Sequence, residues 1–341
     1  MKQINSQGEN MKKIISAIMV LMLCLLPIMA TGMVETTDSL QLVSDKTEVN
    51  ILSLKGPTSM GLAKLYNDSD LGLTENKYNY TLTGAPDQAI AALVKGSVDL
   101  AAVPANLAAV LNVKTKGKLQ VVAINTLGVI YILENGSEVN SIQDLKGKTI
   151  FASGKGATPE YALNFILESN NLVPGKDLTI EWKSEHSECL TELSTTPNSI
   201  AMLPQPFVTT ALMKIPEARI VVDLTEAWEE VEEDSTMITG VIVGQREFLQ
   251  DNPEAVASFL DAYHSSVDFC NENLAEAAVL IGNLGIVPEA IAEKAIPDCN
   301  IVCIEGEEMK TSLKSYLDIL FQQNPQAVGG SVPDDSFYFE R

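Results

Sequence analysis

Two parts of the sequence repeat each other at a constant offset of 100 residues. The motif Lys55-Gly56-Pro57-Thr58 ends one apolar run, and Lys155-Gly156-Ala157-Thr158 ends another. Residues 98–104 match residues 198–204, and residues 84–86 align with residues 184–186 at the same offset. Any two βαβ units look somewhat alike, but a period held over three matches predicts two lobes of one architecture.

The matched loops follow apolar runs that are typical of buried strands and precede segments with helical spacing. In an open α/β sheet, this carboxyl edge of the strands is where ligands bind. Two such edges that face each other would form a cleft. The sequence therefore predicts a ligand site between the two lobes.

The composition is that of a globular protein with about two domains. The chain has 341 residues, of which 46% are hydrophobic and 20% are charged, with a formal net charge of −22. Such a negative protein is a poor partner for nucleic acid or an anionic lipid surface. We read the charge mainly as a source of solubility.

The amino-terminal segment has the features of an export signal. Lys12 and Lys13 precede an apolar run over residues 14–29, and small residues follow at 30–32. We predict a signal peptide over residues 1–32 and a flexible tether over residues 33–47, so that the mature protein is exported to the periplasm or the extracellular face of the membrane. Lipidation is not expected, because position 33 is Met where a lipidated protein would carry cysteine. Contact with the membrane is expected only through the permease or an anchor.

Four cysteines remain once such a leader is removed. They are Cys189, Cys270, Cys299 and Cys303. An even number in an exported chain permits disulfides, and a bridge from Cys270 to Cys299 or Cys303 is one option. A core of this size does not require one.

Apolar runs alternate with segments of helical spacing from residue 49 to residue 243. This alternation predicts mainly parallel sheets covered by helices on both faces. The predicted strands are 49–54, 79–83, 98–103, 119–124, 129–133, 149–152, 179–182, 199–203, 220–222 and 237–243. The predicted helices of the last hundred residues are 253–270, 275–284, 288–295 and 307–323, and we expect them to pack on the first lobe. The acidic run 225–234 predicts a solvated face.

Three segments carry a resemblance to a known family. They are the strand and loop 51–61, the block 92–101 with Lys95-Gly96-Ser97-Val98-Asp99, and the returning strand with residues 246–256. Over nearly all of residues 48–325 the chain resembles the substrate-binding proteins of ABC importers, in the branch that includes nitrate, sulfonate, taurine and thiamine-precursor binders. The resemblance implies a small-molecule solute, ABC permease and ATPase subunits as partners, and a monomer.

The resemblance also implies a fold, a type II periplasmic-binding-protein clamshell of two doubly wound α/β lobes. Lobe 1 would comprise residues 48–130 and 238–341, and lobe 2 residues 131–237. The chain would cross between them near residues 126–136 and 235–240, forming a hinge. Many relatives carry Glu before the second proline of Pro204-Gln205-Pro206. Gln205 brings no charge, so a cationic solute loses a natural partner.

We expect the ligand to contact strand-end loops from both lobes. Helix starts offer backbone N–H groups and the positive end of the helix dipole to an anion. The predicted ligand-binding residues are Thr58, Ser59, Met60, Thr83, Gly84, Pro104, Asn106, Gly156, Thr158, His186, Gln205 and Thr239. Asn106 is explained equally well as a helix cap, and Lys155 either adds a charge or points outward. The expected solute is anionic or zwitterionic.

The sequence gives little sign of a cofactor, a metal or a catalytic site, and we expect none of them. His186 with Glu185 and Cys189 is only a weak metal-site fragment. There is no nucleophile elbow, no phosphate-binding Gly-Lys-Ser/Thr loop and no His-Glu-x-x-His motif. With His186 and His264 as the only histidines, a Ser–His or Cys–His pair is not expected.

The predicted function is therefore the extracytoplasmic solute-binding component of an ABC transporter. One alternative is a cytosolic enzyme on the same fold, similar to the chorismate-dehydrating branch of menaquinone synthesis. The export signal argues against such an enzyme, whose substrate is cytosolic. Another alternative is a sensor that presents its bound solute to a signalling protein.

Overall fold

The computed structural model describes residues 46–84 and 86–341, which contain two β-sheets and the helices packed on them. The predicted signal peptide and almost all of the predicted tether lie outside the described residues. Residues 47–341 belong to one compact unit. None of the helices in the described ranges combines the length and the apolar character needed to span a membrane.

The secondary structure alternates as the sequence predicts. The strands are β1 Glu48–Leu54, β2 Lys77–Thr83, β3 Leu100–Pro104, β4 Leu119–Leu127, β5 Ile130–Asn135, β6 Thr149–Ala152, β7 Thr179–Trp182, β8 Ile200–Pro204, β9 Ala218–Asp223, β10 Ile238–Gln245 and β11 Ile301–Ile304. The α-helices are α1 Pro57–Met60, α2 Ala63–Asp70, α3 Pro86–Lys95, α4 Ala105–Thr115, α5 Thr158–Ser169, α6 His186–Thr195, α7 Phe207–Lys214, α8 Leu224–Val231, α9 Arg246–Asp251, α10 Pro253–Glu272, α11 Leu274–Asn283, α12 Glu289–Ala295 and α13 Gly306–Gln323.

The two sheets have corresponding strand orders. The six-stranded sheet runs β11-β4-β10-β3-β1-β2, and the five-stranded sheet runs β7-β6-β8-β5-β9. From the β2 and β7 edges inward, β2, β1, β3, β10 and β4 correspond to β7, β6, β8, β5 and β9. Helices α3 and α6 also begin and end 100 residues apart, as do strands β3 and β8. The internal repeat predicted from the sequence is therefore confirmed.

One inserted strand makes each sheet mixed. β10 lies antiparallel to both β3 and β4, and β5 lies antiparallel to both β8 and β9. The pairs β1/β2, β1/β3, β6/β7 and β6/β8 are parallel, and the edge strand β11 lies antiparallel to β4. The expectation of mainly parallel sheets is confirmed for strand direction, since β1, β2, β3 and β4 run one way in the first sheet and β6, β7, β8 and β9 run one way in the second. The sequence did not predict the opposed direction of β10 and β5, each of which comes from a chain segment that has just left the other sheet.

The first passage between the sheets is made at Gly128, between β4 and β5. A Cβ atom placed there would lie 1.9 Å from Thr225 Oγ1 and 2.7 Å from Met237 Cε. Met237 immediately precedes β10, so both passages pack against each other. Only glycine allows so close an approach without displacing a neighbour.

The acidic run is helix α8, and one side of it is buried. Trp228 is fully buried and its ring lies 4.5 Å from that of Phe165 and 5.3 Å from that of Tyr316, centroid to centroid. Glu226, Glu229 and neighbouring carboxylates are exposed. The prediction of a solvated face is correct for the carboxylates. The opposite side of α8 is held by the buried Trp228 side chain, which packs between α5 and α13.

The four helices predicted near the carboxyl terminus are confirmed within two residues at each end. Most of their contacts are with elements of the six-stranded sheet and its helices. Strand β11, at the edge of the six-stranded sheet, was not predicted from the sequence. The four cysteines are free thiols, and Cys270 Sγ donates to Met60 O at 3.3 Å, so the proposed Cys270 bridge does not form.

Candidate functional site

A partly open cavity lies where strand ends of the two sheets face each other. Its volume is about 240 Å³, and we call it the inner cavity. From the six-stranded side it is lined by residues 54–58, Pro104 and Thr126; from the passages between the sheets by Val129, Ile130 and Thr239; and from the five-stranded side by residues 157–159, His186 and residues 204–207. The facing edges predicted from the repeat thus enclose a common space.

A second space of about 640 Å³ adjoins the inner cavity, and we call it the outer chamber. The two share lining residues, among them Lys55, His186 and Phe207. The outer chamber adds Gly84, Pro86, Gly154, Glu185, Thr210, residues 286–288 and Ile291. It therefore extends the site along the gap between α7 and α12.

The repeat explains why these loops meet. β1 and β6 end just before the loops that lead to α1 and α5, while β3 and β8 each end in a proline followed by a helix. Gly56, between β1 and α1, has φ 118°, a left-handed conformation that favours glycine. Equivalent turns from both sheets thereby present helix starts to one cavity.

The polar side chains of the inner cavity are fixed by hydrogen bonds within the protein. Thr58 Oγ1 donates to Leu54 O at 2.9 Å, and Thr239 Oγ1 donates to Leu127 O at 2.5 Å. A hydroxyl that donates in this way still offers its lone pairs to a ligand. These oxygens therefore meet a ligand in defined positions, without the entropy cost of ordering them.

The Gln205 side chain is also held by hydrogen bonds within the protein. Its Oε1 accepts hydrogen bonds from Thr209 N at 3.2 Å and Thr209 Oγ1 at 2.8 Å, which caps helix α7. Its Nε2 donates to Asp298 Oδ2 at 3.5 Å, across to the six-stranded side. The amide thus offers a ligand its remaining N–H rather than its oxygen.

The charge of the inner cavity is opposite in sign to that of the whole chain. Among the described residues that line it, Lys55 alone has a permanently charged side chain, and none of them is a carboxylate. The chain as a whole carries a net charge of −22. The positive charge along the described lining therefore comes from Lys55, whose side chain is exposed.

His186 lines both spaces and is neutral at physiological pH. Burial lowers the pKa of His186 to about 4. Its Nδ1 is hydrogen-bonded to Ser153 Oγ, and its ring lies 5.4 Å from the Phe207 ring, centroid to centroid. The imidazole can therefore give a ligand one hydrogen bond through Nε2 but no charge.

The Ser153–His186 pair corrects the expectation that the chain holds no such pair. The sequence could not reveal it, because the two residues are 33 positions apart and meet only when β6 and α6 pack together. Ser153 is 2% exposed and lines neither space. Its hydroxyl orients the imidazole and is not placed to attack a ligand.

A buried hydrogen bond joins the two sides of the site. Thr158 Oγ1, at the start of α5, donates to Asn106 Oδ1, at the start of α4, at 3.0 Å. Both side chains are at most 5% exposed. Asn106 Nδ2 also donates to Ala327 O at 3.3 Å. We call the Thr158–Asn106 contact the interlobe clasp.

The structure brings seven of the twelve predicted site residues to these spaces. They are Thr58, Gly84, Pro104, Thr158, His186, Gln205 and Thr239. The five that line neither space are Ser59, Met60, Thr83, Asn106 and Gly156. Ligand contact by all twelve stays a prediction.

The five outlying residues have other contacts. The Ser59 hydroxyl donates to Leu54 O at 2.5 Å and lies 2.8 Å from Ser53 Oγ, while Met60 is fully buried in the core. Thr83 Oγ1 donates to Gln88 Oε1 at 2.7 Å. The Gly156 N–H donates to Glu160 Oε2 at 2.6 Å, so that donor is already used within its own turn.

Sequence reasoning missed Lys55, Phe207 and residues 286–291. The sequence could have indicated Lys55, because it opens the repeated motif 100 residues before Lys155. Lys155 itself is exposed and lines neither space. No sequence pattern could have indicated residues 286–291, since they lie far along the chain from every repeated loop. Within the described ranges, no three His, Cys, Asp or Glu side chains are grouped so that they could hold a metal ion.

Comparison with known proteins gives a consistent result. The sequence profile described as "NMT1/THI5 like" matches residues 79–277, more than half of the chain. No curated protein matches the chain in sequence.

Several solved structures share the fold. The chain is similar to an ABC transporter protein from Parabacteroides distasonis, with 23% identity, a TM-score of 0.73, and coverage of 87% of this chain and 100% of that one. It is similar to the periplasmic aliphatic sulphonate binding protein of Escherichia coli, with 16% identity, a TM-score of 0.69, and coverage of 86% and 92%. The alkanesulfonate-binding protein of Xanthomonas axonopodis pv. citri, bound to MOPS, gives 17% identity, a TM-score of 0.64, and coverage of 85% and 96%. These likenesses establish a periplasmic-binding-protein fold.

Proposed function

Because the chain belongs to the NMT1/THI5-like family, we propose that it is the extracytoplasmic solute-binding component of an ABC importer. It captures a small anionic or zwitterionic solute and delivers it to a membrane permease. The observation that carries the proposal is the inner cavity. It lies between strand ends of the two sheets, Lys55 lines it, and none of its described lining residues is a carboxylate.

The proposed mechanism is closure of two lobes on the solute. The lobes are residues 48–130 with 238–341 and residues 131–237, and the hinge is made by the two passages near Gly128 and Thr239. Rigid lobes that rotate about two short crossings are a common device for enclosing a ligand. The interlobe clasp lies beside the inner cavity, where it would form on closure and break on opening.

The solute would be held through three kinds of contact. Lys55 supplies a positive charge, the first residues of α5 and α7 bring helix starts to the lining of the inner cavity, and Phe207 with the lining prolines supplies apolar surface. The related structures named for sulfonate compounds support an anionic head group. Sulfonates are therefore the first probes to use.

The proposal includes a location and partners. The predicted signal peptide would export the protein, and the named relatives are described as periplasmic or as parts of import systems. A permease and an ATPase would then complete the importer, and the binding protein would act as a monomer.

The test is a thermal-shift screen of the protein from residue 33 onward, which keeps the compact unit of residues 47–341. The protein is unfolded and refolded first, to remove any co-purified ligand. The panel holds sulfonates, nitrate, carboxylates, amino acids and pyrimidine precursors, with cationic amines as the opposite charge class. A ligand at about 100 times its dissociation constant stabilises the fold by about 2.7 kcal/mol and raises the unfolding temperature by several degrees.

The expected result is a shift confined to anions or zwitterions. A shift with cations alone would contradict the charge argument. Turnover of chorismate or a related compound, without reversible binding of any panel member, would favour the enzyme alternative over a solute receptor.

A further inference from the structure

We propose that the buried hydroxyl of Tyr316 destabilises the closed arrangement of the empty protein, so that the cleft stays open until a solute binds. This inference rests on the proposed solute-binding function and on closure of residues 48–130 and 238–341 onto residues 131–237. It extends that function by assigning a residue outside the solute site that controls how readily the two lobes close.

Tyr316 lies where the two proposed lobes pack on each other. It belongs to α13, and its ring lies 5.3 Å from the ring of Trp228 on α8, centroid to centroid. Helix α13 also contacts α5. Both α5 and α8 belong to the second proposed lobe, whereas α13 belongs to the first. The Tyr316 side chain is fully buried in this interface, so its surroundings change when the lobes separate.

The Tyr316 hydroxyl is buried without a hydrogen bond. Within residues 46–84 and 86–341, no group has the geometry of a hydrogen-bond partner for it. Neighbouring donors are used elsewhere, because Trp228 Nε1 donates to Ser235 Oγ at 3.3 Å and Thr158 Oγ1 donates to Asn106 Oδ1. The Thr158 side chain is still near enough to lower the pKa of Tyr316, against the larger rise that burial causes. A hydroxyl in this position has given up water and gained no partner.

Opening of the cleft would remove this cost. Thr158 lines the inner cavity, and Tyr316 lies behind it and lines neither space. When α5 moves away from α13, water can reach both hydroxyls, so the cost applies only to the closed arrangement. Its expected size is about tenfold in the equilibrium between open and closed protein, or about 1.4 kcal/mol. A solute that binds the closed arrangement loses the same factor in affinity while the empty protein is mostly open.

The informative substitution is Tyr316→Phe, which deletes one oxygen and keeps the ring that packs on Trp228. Tyr338→Phe is the matched control. Tyr338 is 2% exposed, and no described residue is a hydrogen-bond partner for its hydroxyl either. It pairs with Val121 of β4, entirely within the first proposed lobe. Each substitution removes a buried hydroxyl, but only Tyr316→Phe removes one at the interface between the lobes.

The first measurement needs no solute. Single-molecule energy transfer is recorded on the protein from residue 33 onward, with dyes at Lys95→Cys and Thr195→Cys. These are the exposed last residues of the equivalent helices α3 and α6, one on each proposed lobe. Cys303→Ser removes the one partly exposed thiol among the described cysteines, since the other three are buried. The ratio of closed to open molecules should rise about tenfold in Tyr316→Phe and stay unchanged in Tyr338→Phe.

The second measurement is calorimetric titration with ethanesulfonate. Tyr316→Phe should bind it up to about tenfold more tightly than the unmodified protein, and Tyr338→Phe should bind it equally. A gain in affinity from deleting a buried polar atom outside the site is not expected of a merely structural residue. Urea unfolding checks that both variants fold.

The outcomes separate this inference from the proposed function. A single population that Tyr316→Phe leaves unchanged, or an equal change in both variants, would overturn the role of Tyr316. Weaker ethanesulfonate binding by Tyr316→Phe would overturn it as well. Failure of ethanesulfonate and every other anion to bind would instead refute the anion-receptor proposal, and the solute-free energy-transfer measurement would still decide the role of Tyr316.

Discussion

Replacing Asn106 by Ala should weaken solute binding through a change in the interlobe clasp, not through a lost contact with the solute. Asn106 lines neither the inner cavity nor the outer chamber, yet its Oδ1 accepts the Thr158 hydroxyl across the cleft at 3.0 Å. In Asn106→Ala that hydroxyl loses its partner at a site only 3% exposed. When the lobes open, water can reach the same hydroxyl, so the cost applies to the closed arrangement.

The magnitude follows from the cost of losing one partner of a buried hydrogen bond, about 1–3 kcal/mol. A cost of about 1.4 kcal/mol on the closed state corresponds to tenfold weaker apparent binding. The second bond of Asn106, to Ala327 O, lies within the six-stranded side and is lost in both arrangements. The loss of this bond lowers the free energy of unfolding but leaves the affinity for the solute unchanged.

The assay is calorimetric titration with the tightest-binding alkanesulfonate, together with urea unfolding of the ligand-free protein. Asn76→Ala is the matched control. Asn76 is 4% exposed, and its Nδ2 donates to Ala255 O at 2.8 Å, entirely on the six-stranded side. Both variants should lose unfolding free energy, and only Asn106→Ala should lose affinity. Equal affinity losses, or none in Asn106→Ala, would refute the clasp as a closure contact.

Three further predictions concern charge, pH and packing. Lys55→Gln should weaken the binding of anionic solutes about threefold, the scale expected of an exposed charge, and the difference in affinity should shrink in 1 M salt. Lys155→Gln changes the equivalent lysine outside the site and should leave the affinity unchanged. Equal affinities of the two variants in titration would contradict the role of Lys55. Burial lowers the pKa of His186 to about 4 from 6.5, so the unfolded chain binds more protons between these values and stability falls as pH drops through that window. His186→Asn should reduce the loss between pH 7 and pH 5 by about 2 kcal/mol in urea unfolding, and an unchanged pH profile would count against a buried neutral imidazole. Gly128→Ala should cost about 2 kcal/mol, because its Cβ would meet Thr225 Oγ1 at 1.9 Å, whereas Gly84→Ala has open space; equal thermal unfolding of the two variants would argue against the tight crossing.

The sequence alone predicted the strand ends that border the cleft, because they follow from local sequence patterns. Apolar runs followed by Lys-Gly or by Pro located the ends of β1, β3, β6 and β8, and the 100-residue offset paired them. The repeat also predicted that two sheets would present equivalent loops. These features are local in the chain, where periodicity and turn chemistry are informative.

Which side chains would meet could not be read in the same way. The bonds Thr158–Asn106 and Ser153–His186 join residues 52 and 33 positions apart, and each depends on how helices dock on sheets. Met60 ends the short helix α1 that follows β1, yet its side chain is fully buried in the core. The wall formed by Ile286 and Ile291 comes from a segment with no repeat partner, so no pattern linked it to the cleft.

The insertion of β10 into the middle of the six-stranded sheet fixes an order of assembly. All strands of the five-stranded sheet occur within residues 130–223, so that sheet can be completed as soon as this continuous segment is available. The six-stranded sheet keeps a gap one strand wide between β3 and β4 until residues 238–245 arrive. During synthesis that gap exposes two unpaired strand edges, which readily accept a strand from another chain.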